Sequence, residues 1–190
     1  MKTKIIFFAM AVVLTALSVF AHDLFLKPTS FFVKVNEKIS IPVMNGTFQT
    51  SEGAVAFARL TDVSLVAPSG ARTHPVEGDL TKNESMAFLN ITPKEAGNYI
   101  AGISTMWRES GLPADEFNKY LPAEGIPGIL ENRTRDGELD KDAKYRYSKY
   151  VKTIFQAGNK TTDNYKTNLG YAVEMVPQQN PYKLKKGASI

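Results

Sequence analysis

Two histidines carry most of the chemistry that this sequence can offer. His22 and His74 are the only imidazoles, and there is no cysteine. That excludes thiol nucleophiles, Cys-based zinc sites and disulfides together. If the chain is cleaved after Ala21, His22 becomes the mature N-terminus, and its α-amine and imidazole Nδ1 can chelate one divalent metal ion. A second imidazole from His74 adds a third nitrogen. Nitrogen-rich sets of this kind suit Cu(II) or Ni(II), with Zn(II) and Co(II) also accepted. Thioether from Met44 or Met106, or carboxylate from Asp23, can complete such a shell. The plainer alternative is that His22 falls beside the cleavage point by chance and that His74, just before Pro75, ends a strand.

Other chemistry finds less support. Asp115 with Glu116, and Asp140 with Asp142, read as helix-start or loop charges rather than a carboxylate pair flanking a cleft. No nucleophile elbow, phosphate loop, dinucleotide fingerprint or metalloprotease helix is present. A copper monooxygenase built on the same amine–imidazole brace is conceivable, but the expectation is a protein that is not an enzyme. Trp107, Phe117, Tyr120, Tyr145, Tyr147 and Tyr150 can form a carbohydrate platform, or can cement one element onto another.

The elements that must position these residues begin after a separate N-terminal segment. Lys2 and Lys4 precede an apolar run from Ile5 to Phe20, and small Ala21 follows. This is the pattern of a cleaved secretory signal over 1–21, with an uncleaved membrane anchor as the rival reading. Cleavage removes two lysines and no acid, taking the formal charge from +4 to +2, so no nucleic-acid partner is expected. The 169 residues that remain of 190 can bury a core without disulfide staples, which favours a periplasmic or secreted bacterial protein. Five Asn-x-Ser/Thr triplets, beginning at Asn45, Asn83, Asn90, Asn132 and Asn159, would matter only in a eukaryotic secretory pathway.

Short apolar runs between turn signals predict strands at 31–35, 38–43, 54–60, 63–67, 72–74, 86–91 and 98–106. Gly97-Asn98-Tyr99 is the kind of strand opening seen in tyrosine corners. Together these predict a mainly β chain, an immunoglobulin-like β-sandwich over 22–182. Pro113 followed by Ala114-Asp115-Glu116 predicts a helix start, and 126–131 a second short helix. The stretch 133–144 reads as a solvated loop or helix, and the apolar pattern of Tyr145, Tyr147, Tyr150, Val151, Ile154 and Phe155 after it is read together with it as an insertion packed on the sandwich, so a helical insertion is expected at about 113–150. Leu169–Val176 is expected to be a last strand.

Three ordered stretches carry a resemblance. They are His22-Asp23-Leu24-Phe25-Leu26-Lys27-Pro28, then Tyr145-Arg146-Tyr147-Ser148-Lys149-Tyr150-Val151-Lys152, then Gly170-Tyr171-Ala172-Val173-Glu174-Met175-Val176-Pro177-Gln178-Gln179-Asn180-Pro181-Tyr182. They resemble the exported bacterial family known as domain of unknown function 4198, related to the periplasmic part of NikM-like nickel and cobalt uptake components. The resemblance implies an exported protein that binds a divalent transition metal (nickel, cobalt or copper), with His22 and His74 as ligands. It also implies support of the ion's uptake or handling beside an inner-membrane transport component, without spanning the membrane after cleavage. Lys27 stands where the family usually has an acid, so no ligand role is carried over to it. Residues 183–190 resemble the start of a second β module, truncated or absent here. The alternative is a metal-independent β-sandwich that binds a glycan, peptide or protein partner, or an accessory domain that only assembles with a membrane component.

Overall fold

The computed structural model describes residues 23–188, so the signal segment and His22 lie outside the described residues. Among those described, eleven strands form three sheets, with two α-helices. The strands are β1 (Asp23–Leu26), β2 (Phe32–Val33), β3 (Ile39–Gly46), β4 (Leu60–Val66), β5 (Arg72–Thr73) and β6 (Leu80–Lys82), followed by β7 (Ala87–Ile91), β8 (Gly97–Thr105), β9 (Arg108–Leu112), β10 (Ala143–Tyr147) and β11 (Tyr150–Ala157). A four-stranded sheet runs β1-β3-β7-β6 and a five-stranded one β2-β11-β8-β4-β5. All pairings are antiparallel except β2 with β11.

The core follows from period-two patterning on facing strands. Leu24, Leu26, Ile41, Val43, Leu89 and Ile91 of one sheet meet Val63, Tyr99, Ala101, Ile103, Phe155 and Ala157 of the other. Two sheets enclosing one apolar layer agree with a β-sandwich. Tyr99 closes one end of that layer: its hydroxyl accepts the backbone N–H groups of Lys94 at 3.1 Å and Glu95 at 2.9 Å.

β8 is buried along both faces, which an alternating outer strand would not be. Its second face is covered by residues 162–182, which cross the outside of the five-stranded sheet without joining it. Buried Asn180 donates to Asn98 Oδ1 at 2.9 Å, and Tyr182 donates to the Ile154 carbonyl at 2.7 Å. Gly102 permits the approach, because a Cβ there would collide with the Leu169 side chain and come within 2.9 Å of the Tyr171 hydroxyl.

The expected strand at Leu169–Val176 is therefore absent. Gly170 turns the chain at φ +81°, and the Glu174 carboxylate accepts the N–H groups of Leu169 and Tyr171 that a ladder would otherwise use. Val173 and Met175 are left exposed. The expected strand at 54–60 also fails before Leu60: Phe57–Arg59 is a 3-10 turn, and Val55 and Phe57 pack on the core from a loop.

The insertion differs from the expected one. It runs between β9 and β10, which pair with each other as a separate ribbon and carry helices α1 (Ala114–Ala123) and α2 (Pro127–Arg135). The apolar stretch after it, placed in the helical insertion by the sequence, instead forms β10 and central strand β11. Its alternating aromatic and β-branched residues fit a pleated surface. Phe117, Leu121 and Ala143 form a small core of their own, and the rings of Phe117, Tyr120 and Tyr145 stack at centroid distances of 5.5–6.2 Å.

Arg133 lies in the stretch expected to be solvated, yet it is buried. Its guanidinium donates to Asn118 Oδ1 at 2.9 Å and to the carbonyls of Glu138 and Lys141 at 2.6 Å each, and lies over the Phe117 ring. Arg133→Ala is expected to cost about 1–2 kcal/mol, because three acceptors lose a charged donor. Hydrogen exchange should quicken across 114–142 while the sandwich stays protected. Arg133→Lys should restore little, since a single ammonium cannot span the fork. No helix among the described residues is long and apolar enough to cross a membrane.

Candidate functional site

On the outer face of the five-stranded sheet, Asp62 collects four donors. Antiparallel pairing across the Pro68-Ser69-Gly70 turn sets Val66 opposite Arg72 and Leu65 opposite Thr73. One step further along the same register brings His74 beside Ser64, and Asp62 lies two residues before Ser64 on the same face. His74 Nδ1 lies 2.8 Å from Asp62 Oδ1. Oδ2 accepts from the Ser64 hydroxyl at 2.6 Å, the Tyr171 hydroxyl at 2.6 Å and Arg72 Nη2 at 3.3 Å. Arg72 also donates to Ser64 Oγ at 3.0 Å and to the Leu169 carbonyl at 2.9 Å.

The electrostatics follow from these contacts. Burial alone would raise the Asp62 pKa. The hydrogen bonds from Ser64, Tyr171 and His74, with the charge of Arg72, outweigh it and hold the carboxyl below its ordinary range. Burial, then the hydrogen bond and charge of Asp62, push the Tyr171 phenol up, so it remains a proton donor. An ionised Asp62 takes the Nδ1 hydrogen of His74. The His74 side chain is 61% exposed, and its Nε2 has no hydrogen-bond partner among the described residues. His74 also lines an open cleft of about 450 Å3 with Thr73, Asp79 and Asn90.

This grouping of Ser, His and Asp is not a nucleophile with its base. The Ser64 hydroxyl is fully buried and donates to Asp62, not to the imidazole. Among the described residues, no group of three or more His, Asp or Glu side chains comes together to hold a metal ion.

The family described as Domain of unknown function (DUF4198) matches residues 19–190. The chain belongs to that family. No curated protein matches the sequence.

In this DUF4198 chain the two histidines singled out from sequence stand differently. His74 is placed as above. His22 lies outside the described residues, but its neighbour Asp23 opens β1, which pairs with β3 and packs over β11. His74 stands past β5, on the face of the other sheet that points away from β1. β11 and β5 are separated by three strand spacings of about 4.8 Å each. Met106 is half exposed, and Met44 is buried in β3. Lys27 pins the following loop: its ammonium donates to the Phe48 carbonyl at 2.8 Å and sits over the Phe48 ring.

Sequence reasoning missed Asp62, Ser64, Arg72 and Tyr171. The first three were recoverable by counting back from the Pro68-Ser69-Gly70 turn, because hairpin register fixes which side chains share a face. Tyr171 was noted as part of a motif, but its reach across the sheet depends on the path of the C-terminal segment.

Proposed function

We propose that this protein binds divalent transition-metal ions outside the inner membrane and supports their uptake or handling. The observation that carries the reading is the His74–Asp62 contact. An imidazole whose Nδ1–H is held by a carboxylate, with Nε2 open to solvent, has the tautomer and orientation of a metal-ligating histidine. The resemblance to NikM-like nickel and cobalt uptake components supports the same ion class. An export signal before His22 supports a second ligand pair, the mature α-amine and imidazole of that residue. Because Asp23 and His74 lie on different sheets, the two histidines hold separate ions in this reading. The finer fold assignment, an immunoglobulin-like sandwich, is supported by the Tyr99 hydroxyl reaching backbone four and five residues upstream.

The test is calorimetric titration of the chain beginning at His22 with Ni(II), Co(II), Cu(II) and Zn(II). Two binding events are expected. Acetylation of the His22 α-amine should weaken the first by at least about tenfold, since the imidazole is then left without its chelating partner. His74→Ala should remove the second and leave the first unchanged. A chain that holds none of the four metals, or holds them equally well after both changes, overturns the proposal. His74 is exposed, so His74→Ala is expected to move stability by no more than about 0.5 kcal/mol.

A further inference from the structure

A second, chemically different cleft lies at the junction of sandwich and insertion. It holds about 270 Å3, and Arg59, Arg108 and Lys149 line it together with Asn45, Thr105 and Tyr147. No carboxylate is among the lining side chains. The three cations sit on backbone that is tied together. The Met106 N–H donates to the Arg59 carbonyl at 3.0 Å, and the Thr105 N–H to the Lys149 carbonyl at 3.0 Å. The Lys149 N–H donates to the Thr105 hydroxyl at 2.9 Å, and β-pairing sets Arg108 opposite Tyr147.

The other arginines of the described chain are engaged: Arg72, Arg133, Arg135 and Arg146 all donate to oxygen acceptors. The guanidinium groups of Arg59 and Arg108 have neither hydrogen bond nor ion pair among the described residues. Lys149 Nζ lies 3.3 Å from Asn45 Oδ1. Burial pushes the Lys149 ammonium down in pKa, and the nearby charge of Asp23 offsets only part of that. The Arg59 and Arg108 guanidinium groups line this concave surface without an opposite charge paired to either among the described residues, and a bound anion would offset them.

We propose that this cleft binds a small multivalent oxyanion, a di- or tricarboxylate or a phosphate. The two free guanidinium forks match carboxylate and phosphate oxygens in planar, two-point contacts. The volume limits the ligand to a molecule smaller than most drug-sized ones. None of its lining residues is a ligand in the metal reading, but Leu24, two residues after His22, lines it, so the anion titrations are made on the metal-free chain.

Trp107 is the only tryptophan, is 60% exposed and directly precedes Arg108, so its fluorescence reports on the cleft. The purified chain beginning at His22 is titrated with citrate and with phosphate at fixed ionic strength, using chloride as control, by fluorescence and by calorimetry. Citrate, phosphate or both should saturate one site, and chloride should not. Arg59→Gln and Arg108→Gln should each weaken that binding by about tenfold or more, the scale of one charge-assisted contact. Lys34→Gln, on an exposed lysine outside the cleft, should leave it unchanged. Arg108 is exposed on β9, so Arg108→Gln keeps its fold, and a melting curve checks Arg59→Gln. Failure of both anions to saturate, or binding by the double arginine variant as tight as the original, overturns the proposal.

Discussion

Glu174→Ala is expected to destabilise the protein by about 3–5 kcal/mol, the scale found when one partner of a buried ion pair is removed. The Glu174 and Lys152 side chains are 4% and 9% exposed and meet at 3.0 Å. Removing the carboxylate leaves the ammonium buried with only the Thr167 carbonyl at 2.8 Å. It also frees the N–H groups of Leu169 and Tyr171, which the same carboxylate accepts at 2.9 and 2.8 Å. One substitution thus strands a charge and unties the segment that covers β8. Chemical denaturation checks the magnitude, and a loss below about 1 kcal/mol would show that the pair does not anchor the segment. The double change Lys152→Met with Glu174→Gln should cost less than the two single losses added together, because no buried charge is left unpaired.

The same carboxylate gives stability a defined pH dependence. Burial would raise the Glu174 pKa, but two backbone N–H groups and Lys152 lower it below its ordinary value of 4.5. A group depressed by folding adds stability that is complete above its unfolded pKa and is lost as pH falls through the folded one. Stability should therefore be flat above about pH 4.5 and decline below it. Asp62, also depressed, contributes in the same direction from its ordinary 3.8 downwards. Glu174→Gln, which cannot titrate, should show a shallower acid limb in denaturation curves measured from pH 6 to about pH 3.

Local pattern made the sandwich strands legible but not the outer layer. The runs around Ile41, Val63 and Leu89 alternate, and these and the apolar run around Ile100 are bounded by turns, so their strands could be read directly. Leu169–Val176 has the same apolar content, yet its conformation is set by Glu174, Lys152 and Gly170 acting together. One of those partners is on a strand distant in sequence. β11 was hidden differently: it follows a charged stretch and inherited that stretch's helical reading, although its own residues are aromatic and β-branched. Arg133 shows the limit of charge counting. A charged residue reads as solvated until the chain folds carbonyls and an amide around it. For the candidate site, composition alone brought out His74. Its carboxylate partner needed hairpin register, and the role of Tyr171 needed the tertiary path.

Asp62→Ala is expected to cost about 1–3 kcal/mol, because the buried Ser64 hydroxyl and the half-buried Tyr171 hydroxyl lose their acceptor. Asp62→Asn should cost less than Asp62→Ala. The donors from Ser64, Tyr171 and Arg72 all converge on Oδ2, and His74 holds Oδ1. An amide turned with its oxygen towards those three presents its N–H group to His74 Nδ1, which accepts it as the other imidazole tautomer, so the remaining loss is the charge that Arg72 meets. Tyr171→Phe, which removes one donor and keeps the ring, should cost about 1 kcal/mol. Thermal denaturation of the three variants orders these effects, and hydrogen exchange places the opening at 162–182. If Asp62→Ala melts like the original protein, Asp62 does not hold that segment. The ranking also separates structure from site. Asp62 ties the C-terminal segment to β4 through Tyr171, while exposed His74 uses the other oxygen of the same carboxylate. A costly Asp62 change beside a nearly neutral His74 change means that the fold needs the hub but not the imidazole. The position of His74 is then free to serve a ligand.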